Sequence, residues 1–236
     1  VKTATASSGL LDEKMAVREC LTEVQSRLNA PINFLILYSS VDYDTEVLAK
    51  ELRLLAPGVP IHGGTSSQGV MTEKGYCCED VHRGMGVFAL SDSDGAFGTG
   101  SSEISDKPRE SAVAAAREAL KEAGRPGESP AMVWMMTAPG AEEEVIYGLS
   151  EFFGPNVPIC GGSSADNDVS GKWSQFTHKI HSTRAVIISV FFPSSPIAFA
   201  FQGGYDATET TAIITRGNGR VIQELDGKPA TQLTNA

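Results

Sequence analysis

The sequence predicts an α/β domain: a mixed sheet with flanking helices, built from an internal duplication covering about residues 10–104 and 107–205. Three observations predict it. Helical and strand patterns alternate along the chain, punctuated by 24 glycines. The run Asn33 to Tyr38 (NFLILY) is apolar almost without a break, as in a strand covered on both faces. The segment Pro57-Gly58-Val59-Pro60-Ile61-His62-Gly63-Gly64-Thr65-Ser66 reappears, shifted by 98 residues, as Pro155-Asn156-Val157-Pro158-Ile159-Cys160-Gly161-Gly162-Ser163-Ser164.

In chain order, residues 3–8 read as a short strand of small and β-branched types. Asp12 opens a helix with Met15, Val17, Cys20, Leu21, Val24 and Leu28 on one side, and Pro31 stops it. The apolar strand 33–38 follows. Asp44 caps a second helix with Val47, Leu48, Leu52 and Leu55 inward. Pro57-Gly58 ends that helix, VPIHGG begins a short strand, and residues 65–79 form a loop or hairpin. Residues 84–90 and 95–102 read as antiparallel strands joined by a turn at Ser91 to Asp94.

The second copy follows the same plan. A helix over about 107–123 precedes it, and the shift of 98 lays Met132-Val133-Trp134-Met135 on Phe34-Leu35-Ile36-Leu37 without a gap. Strands at 184–192 and 196–203 correspond to 84–90 and 95–102. Shared ancestry of two half-domains explains such a match better than chance. Residues 210–216 and 220–225 then read as strands around the turn Gly217-Asn218-Gly219. The expected organisation is a domain over 1–216 and the start of a following one over 217–236.

With 19 Lys and Arg against 29 Asp and Glu, the formal charge is −10. Such a surface repels phosphate backbones and anionic lipid, so neither nucleic acid nor a membrane is an expected partner. The apolar run Ala185 to Phe192 is far short of the roughly 20 residues of a membrane helix. The N-terminal stretch has no apolar signal-peptide core. Cys20, Cys77, Cys78 and Cys160 form no CxxC pair, which suits reduced thiols and a cytoplasmic location.

The chemistry most open to the sequence lies in the twin glycine segments. Each is read as sitting where a strand leaves the sheet. Paired glycines can leave backbone N–H groups bare, forming a nest for an anion. Gly63, Gly64, Thr65 and Ser66 form one candidate site, and Gly161, Gly162, Ser163 and Ser164 the other. Where the first copy has Gln68 the second has Asp166, which could hold an ammonium group beside a bound carboxylate. The same residues also read as plain turn geometry, with Asp166 as a turn cap. No metal site is expected. His178 and His181, three apart on a strand, point to opposite faces. His82 stands alone near a strand start, and His62 is the best-placed single axial ligand for a haem. Cys160 reads as a small buried thiol more readily than as a nucleophile. Neither GxxxxGK[ST], HExxH nor GxSxG occurs, and no enzymatic activity is expected.

At these residues the chain resembles the N-terminal domain of the FIST family. The resemblance is carried by Ile36-Leu37-Tyr38-Ser39, by both glycine segments (the second running on through Ala165-Asp166), and by Val221 to Ala230 (VIQELDGKPA). It covers roughly residues 5–230. It implies an intracellular sensory module of signal transduction that binds a small ligand, an amino acid being the family's proposed ligand class. It also implies a C-terminal FIST domain and a signalling output domain or protein as partners. Two alternatives follow from the same resemblance: a haem-binding module that senses nitric oxide, and a non-catalytic protein-interaction module.

Overall fold

The computed structural model describes residues 1–77, 83–200, 203, 205–206 and 208–233; Cys78 and His82 lie outside the described residues. The chain divides into two compact units, Val1–Ile197 and Ala198–Ala236.

The first unit opens with β1 (Lys2–Ser8), α1 (Glu13–Leu28), β2 (Phe34–Ser39), α2 (Thr45–Leu55) and β3 (Ile61–Thr65). A hairpin of β4 (Val70–Thr72) and β5 (Gly75–Cys77) follows, then β6 (Met85–Ser91). The order then recurs: β7 (Ala96–Glu103), α3 (Pro108–Glu122), β8 (Met132–Thr137), α4 (Glu142–Phe153) and β9 (Ile159–Ser163). The short strands β10 (Gln175–Phe176) and β11 (His181–Ser182) lead to β12 (Ala185–Phe192). Asp12 and Asp44 cap α1 and α2: Asp12 Oδ1 accepts from Met15 N at 2.8 Å, and Asp44 Oδ1 from Glu46 N at 3.0 Å. Pro108 opens α3, where a missing N–H costs nothing. Most of the expected inward residues are buried, but Met15 and Leu55 are exposed. No helix among the described residues is long and apolar enough to cross a membrane.

The α/β class with mixed sheets and flanking helices holds, but the strands form two principal sheets where one was expected. The first runs β1-β6-β2-β3-β10-β11 and the second β7-β12-β8-β9. β2 and β8 pair in parallel with β3 and β9; the other neighbours in these sheets are antiparallel. The hairpin expected of 84–90 and 95–102 is not made. β6 lies between β1 and β2, while β7 pairs along its whole length with β12. The turn between them instead carries the chain from one sheet to the other, held by Asp92 N donating to Asn33 Oδ1 at 2.7 Å and Ser194 N to Asp92 Oδ2 at 2.8 Å. Residues 193–200 form no strand, unlike the expected strand over 196–203; positions 201 and 202 lie outside the described residues.

The sheets stack face to face with helices outside, giving layers α, β, β, α. Strand alternation assigns the faces. Leu35 and Leu37 of β2 pack with Val17, Leu21 and Leu48 of the helices. Phe34 and Ile36, between them, pack with Phe97, Met132 and Phe191 of the other sheet. On β8, Val133 and Met135 turn to α3 and α4, whereas Met132 and Trp134 turn to the first sheet.

α3 sits very close to β7. A Cβ at Gly100 would fall 2.0 Å from the Ala115 carbonyl oxygen, and one at Gly98 would fall 2.2 Å from that of Ala119. The facing side of α3 is Ala112, Ala115, Ala116 and Ala119, so both surfaces are pared to allow the approach.

The second unit contains β13 (Ile214–Asn218), β14 (Val221–Leu225), β15 (Lys228–Pro229) and α5 (Ala230–Leu233). β14 pairs antiparallel with both neighbours, and Asp226 Oδ1 accepts from Ile213 N at 2.9 Å.

Two substitutions test this packing. Gly100→Val should lower unfolding stability by about 1–3 kcal/mol, because backbone of α3 must move. Gly162→Ala, where a Cβ meets nothing within 4 Å, should stay within about 0.5 kcal/mol of the parent. Urea unfolding midpoints check both, and equal losses would contradict the helix placement. The buried His62 gives a second test. Burial pushes its imidazole down to about 3, so between about pH 6.5 and that value the unfolded chain binds a proton the fold does not. Stability therefore falls with falling pH by about 1.4 kcal/mol per unit from this group. Between pH 7 and 5 the parent should lose stability more steeply than His62→Gln; parallel profiles would contradict the burial.

Candidate functional site

The two glycine segments are placed differently from each other and from the expectation. Gly63 and Gly64 do not leave the sheet; they lie inside β3, paired with β2 on one side and with β10 on the other. A Cβ at Gly63 would meet the Phe176 ring at 2.1 Å, and one at Gly64 the Met136 sulfur at 2.1 Å. Both faces of this pair are therefore sealed by side chains. Thr65 is buried: its N–H donates to Ser174 O and its Oγ1 accepts from Ser174 N, each at 3.0 Å. Ser66 N donates to Ser39 O at 2.8 Å.

Gly161 and Gly162 also lie inside a strand, β9. It forms the outer edge of the second sheet, and both glycines are exposed. Gly161 has φ +128°, and a Cβ there would fall 1.9 Å from Met135 O, so its backbone lies tight against β8. Ser163 Oγ donates to Glu142 Oε1 at 2.5 Å. Ser164 is buried, with N–H donating to Thr137 O at 3.0 Å and Oγ accepting from Gln175 Nε2. One bond joins the two segments: Ala165 N donates to Thr65 O at 3.0 Å.

Asp166 is buried and organises its own loop. Oδ1 accepts from Val169 N at 2.6 Å; Oδ2 accepts from Gly171 N at 2.6 Å and Lys172 N at 3.0 Å. Burial alone would raise its carboxyl pKa, but these N–H donors outweigh that and hold it below the usual carboxylate range. The carboxylate expected to meet a ligand ammonium group thus has its acceptor sites taken by backbone.

The histidines also have partners. His178 Nε2 meets Glu122 Oε1 at 2.8 Å and His181 Nε2 meets Thr45 Oγ1 at 2.7 Å. His62 is fully buried between the sheets, with Nδ1 2.9 Å from Ser189 Oγ, which lies 2.8 Å from Thr99 Oγ1. Its Nε2 has no hydrogen-bond partner. Among the described residues no cluster of three or more metal-ligating side chains occurs.

A concave feature without these glycines lies elsewhere in the unit. A cavity of about 520 Å³ opens between the sheets, over the inner face of β1, β2 and β6. Ile36, Phe88 and Leu90 form its floor, and Met132, Trp134 and Phe191 reach in from the second sheet. The β4 strand and the stretch Pro193 to Ile197 complete the wall. Trp134 Nε1 donates to Tyr38 Oη at 2.7 Å, and both rings line the space. Burial pushes the Tyr38 phenol up to about 12, so it stays protonated. Among the described residues no Asp, Glu, Lys, Arg or His lines the cavity. Of the nine residues singled out in the sequence, only Ser66 does. Tyr38 and Trp134 carried a usable signal: each is a polar-tipped aromatic at a strand position facing the same way as Phe34 and Ile36 or as Met132.

Asp166→Asn should therefore act on stability. The depressed pKa means the contribution is complete above about pH 4 and is lost as pH falls through the lower folded value. The variant should melt below the parent at pH 7, with the gap closing under pH 4. Equal melting temperatures at pH 7, by scanning calorimetry, would return Asp166 to the list of free ligand groups.

Residues 33–228 match the FIST N domain family, and the match covers most of the chain. The uncharacterized protein MJ1623 of Methanocaldococcus jannaschii is 32% identical over 92 residues, which are 39% of this chain and 18% of that protein. The chain thus spans less than a fifth of that relative's length. A cyanuric acid hydrolase from A. caulinodans aligns with 80% of this chain and 66% of its own, at 11% identity and a TM-score of 0.38. That likeness is too slight to inform on activity. FIST domains are a sensory family of signalling proteins, and by the extent of the match this chain belongs to the FIST N domain family.

Proposed function

We propose that the chain is a non-catalytic sensory module whose small-molecule ligand lies in the cavity between the two sheets. The cavity carries this reading. Its volume of about 520 Å³ is in the range of small-molecule sites, roughly 300–1,000 Å³. Its lining is mostly apolar with a few hydroxyls, an indole and a phenol. Among the described residues it offers no base beside a nucleophile, which suits retention of a ligand rather than turnover.

The cavity also touches the route out of the unit. Pro193 to Ile197 form part of its wall, and the second unit begins at Ala198. A ligand that packs against this stretch differently in two states changes their populations. A C-terminal FIST domain and an output domain or protein would receive that change. Cys20 and Cys160 are free thiols, in keeping with the cytoplasm as the compartment.

The ligand need not be an amino acid. A zwitterion would bring two charges to a lining whose described residues have no ionised side chain to meet them. The haem alternative is weakened by the position of His62, enclosed between the sheets and absent from the cavity lining.

A thermal-shift screen of the full chain, with neutral aromatic compounds and amino acids side by side, tests the reading. A ligand at 100 times its Kd stabilises by about 2.7 kcal/mol, which raises Tm by about 5–10 °C at this chain length. Thr3→Trp places an indole on the edge strand β1, at an exposed residue that lines the cavity, and should abolish the shift. An unchanged shift in Thr3→Trp would move the ligand elsewhere. A Soret band in protein from haem-supplied cells would favour the haem alternative.

A further inference from the structure

We propose that the ligand of the inter-sheet cavity is an electrically neutral molecule with an aromatic or aliphatic body and one hydrogen-bond acceptor, recognised by the hydroxyl of Tyr38. This rests on the cavity reading above and adds the ligand's chemical class.

An indole has one donor and no acceptor, and Trp134 spends that donor on Tyr38 Oη at 2.7 Å. The bond joins β2 of one sheet to β8 of the other, so it fixes the phenol against the cavity. With its oxygen accepting from the indole, the phenol still has its own hydrogen to give. That hydrogen bonds to no acceptor among the described residues. A hydroxyl hydrogen left without an acceptor in an apolar space is costly, and a ligand oxygen that accepts it removes the cost.

The other side-chain hydroxyls of the described lining belong to Thr3 and Thr5 on β1, Ser66 after β3, Thr72 on β4 and Ser195 after β12, and none takes part in the bond between β2 and β8. Thr5 Oγ1 already donates to Glu73, and Thr72 Oγ1 accepts from Lys74 N at 3.2 Å. Thr3 lies at the exposed edge of the sheet. The Tyr38 ring packs edge-on against His62, with centroids 6.3 Å apart, and the apolar lining of the cavity includes Ile36, Phe88, Met132, Trp134 and Phe191. A charged ligand would lose its hydration there, and no described lining residue has an ionised side chain to compensate it. A neutral one gains by covering apolar surface and needs a single acceptor for the phenol. Ketones, esters, ethers and quinone-like rings meet this description; zwitterions and carboxylates do not.

The neutral naphthalene ketone prodan is a suitable probe, because it has one strong acceptor and its emission reports its surroundings. Titration into the full chain should give saturable binding with blue-shifted emission, abolished in Thr3→Trp. Tyr38→Phe keeps the ring and removes only the hydroxyl; it should weaken prodan binding about tenfold, the loss of one neutral hydrogen bond. Propylnaphthalene, which lacks the acceptor, should bind both proteins with the same inhibition constant when it competes with the dye. In infrared spectra the carbonyl stretch of prodan bound to the parent should lie at its hydrogen-bonded frequency, a readout that needs no variant. Equal prodan affinity in parent and Tyr38→Phe, an unbonded carbonyl stretch, or more effective displacement by phenylalanine than by propylnaphthalene would each overturn the ligand class while leaving the cavity reading intact. Absence of prodan binding, or binding unchanged in Thr3→Trp, would overturn the cavity reading and the ligand class with it.

Discussion

The face-to-face contact of the two sheets is the constraint on which the rest of the structure depends. Phe34 of one sheet meets Phe97 and Phe191 of the other, with ring centroids 6.1 and 4.7 Å apart. Because helices cover the outer faces, the central strands have no side facing water, and each must be apolar on both faces. This explains the unbroken apolar runs of β2, β8 and β12. It also explains why polar groups in the inner layer bond to one another across it, as His62 does with Ser189 and Trp134 with Tyr38.

The cavity follows from unequal widths. The first sheet has six strands and the second four. The β3 and β10 end of the first sheet lies over β12, whereas Cys160 of β9 packs near Ile36 and Phe88. The second sheet therefore ends before it covers β1, and the inner surface beside Thr3 and Thr5 is left to β4 and to the stretch after β12. A void in a close-packed protein forfeits dispersion contacts on the surfaces that border it. An apolar occupant would restore them, so binding and stability are linked at this place.

The twin glycine segments show how one motif acquires two roles from its surroundings. Their sequences are nearly the same, and each forms a strand beside a parallel neighbour. In the first, β10 adds to the free edge and Phe176 occupies the space above Gly63. In the second the edge is exposed, and Gly161 serves a close backbone approach to β8. Neither makes a nest. Local sequence described the freedom of these residues correctly, but freedom to turn is also freedom to be packed against.

By itself the sequence determined the α/β class, the caps at Asp12 and Asp44, the apolar strands and most helix boundaries. Those features depend on propensity, periodicity and contacts between near neighbours, which a linear reading contains. It also carried enough of the family's motifs to place the chain. Only the tertiary structure decided that β6 and β7 part into different sheets, that Asp166 is spent on its own loop, and that the open space lies beside Tyr38 and Trp134. Each of these depends on which surface arrives opposite a strand from far along the chain. Alternation says that Tyr38 and Trp134 face away from their helices, but the gap between the sheets comes from a mismatch in strand number that no single segment encodes.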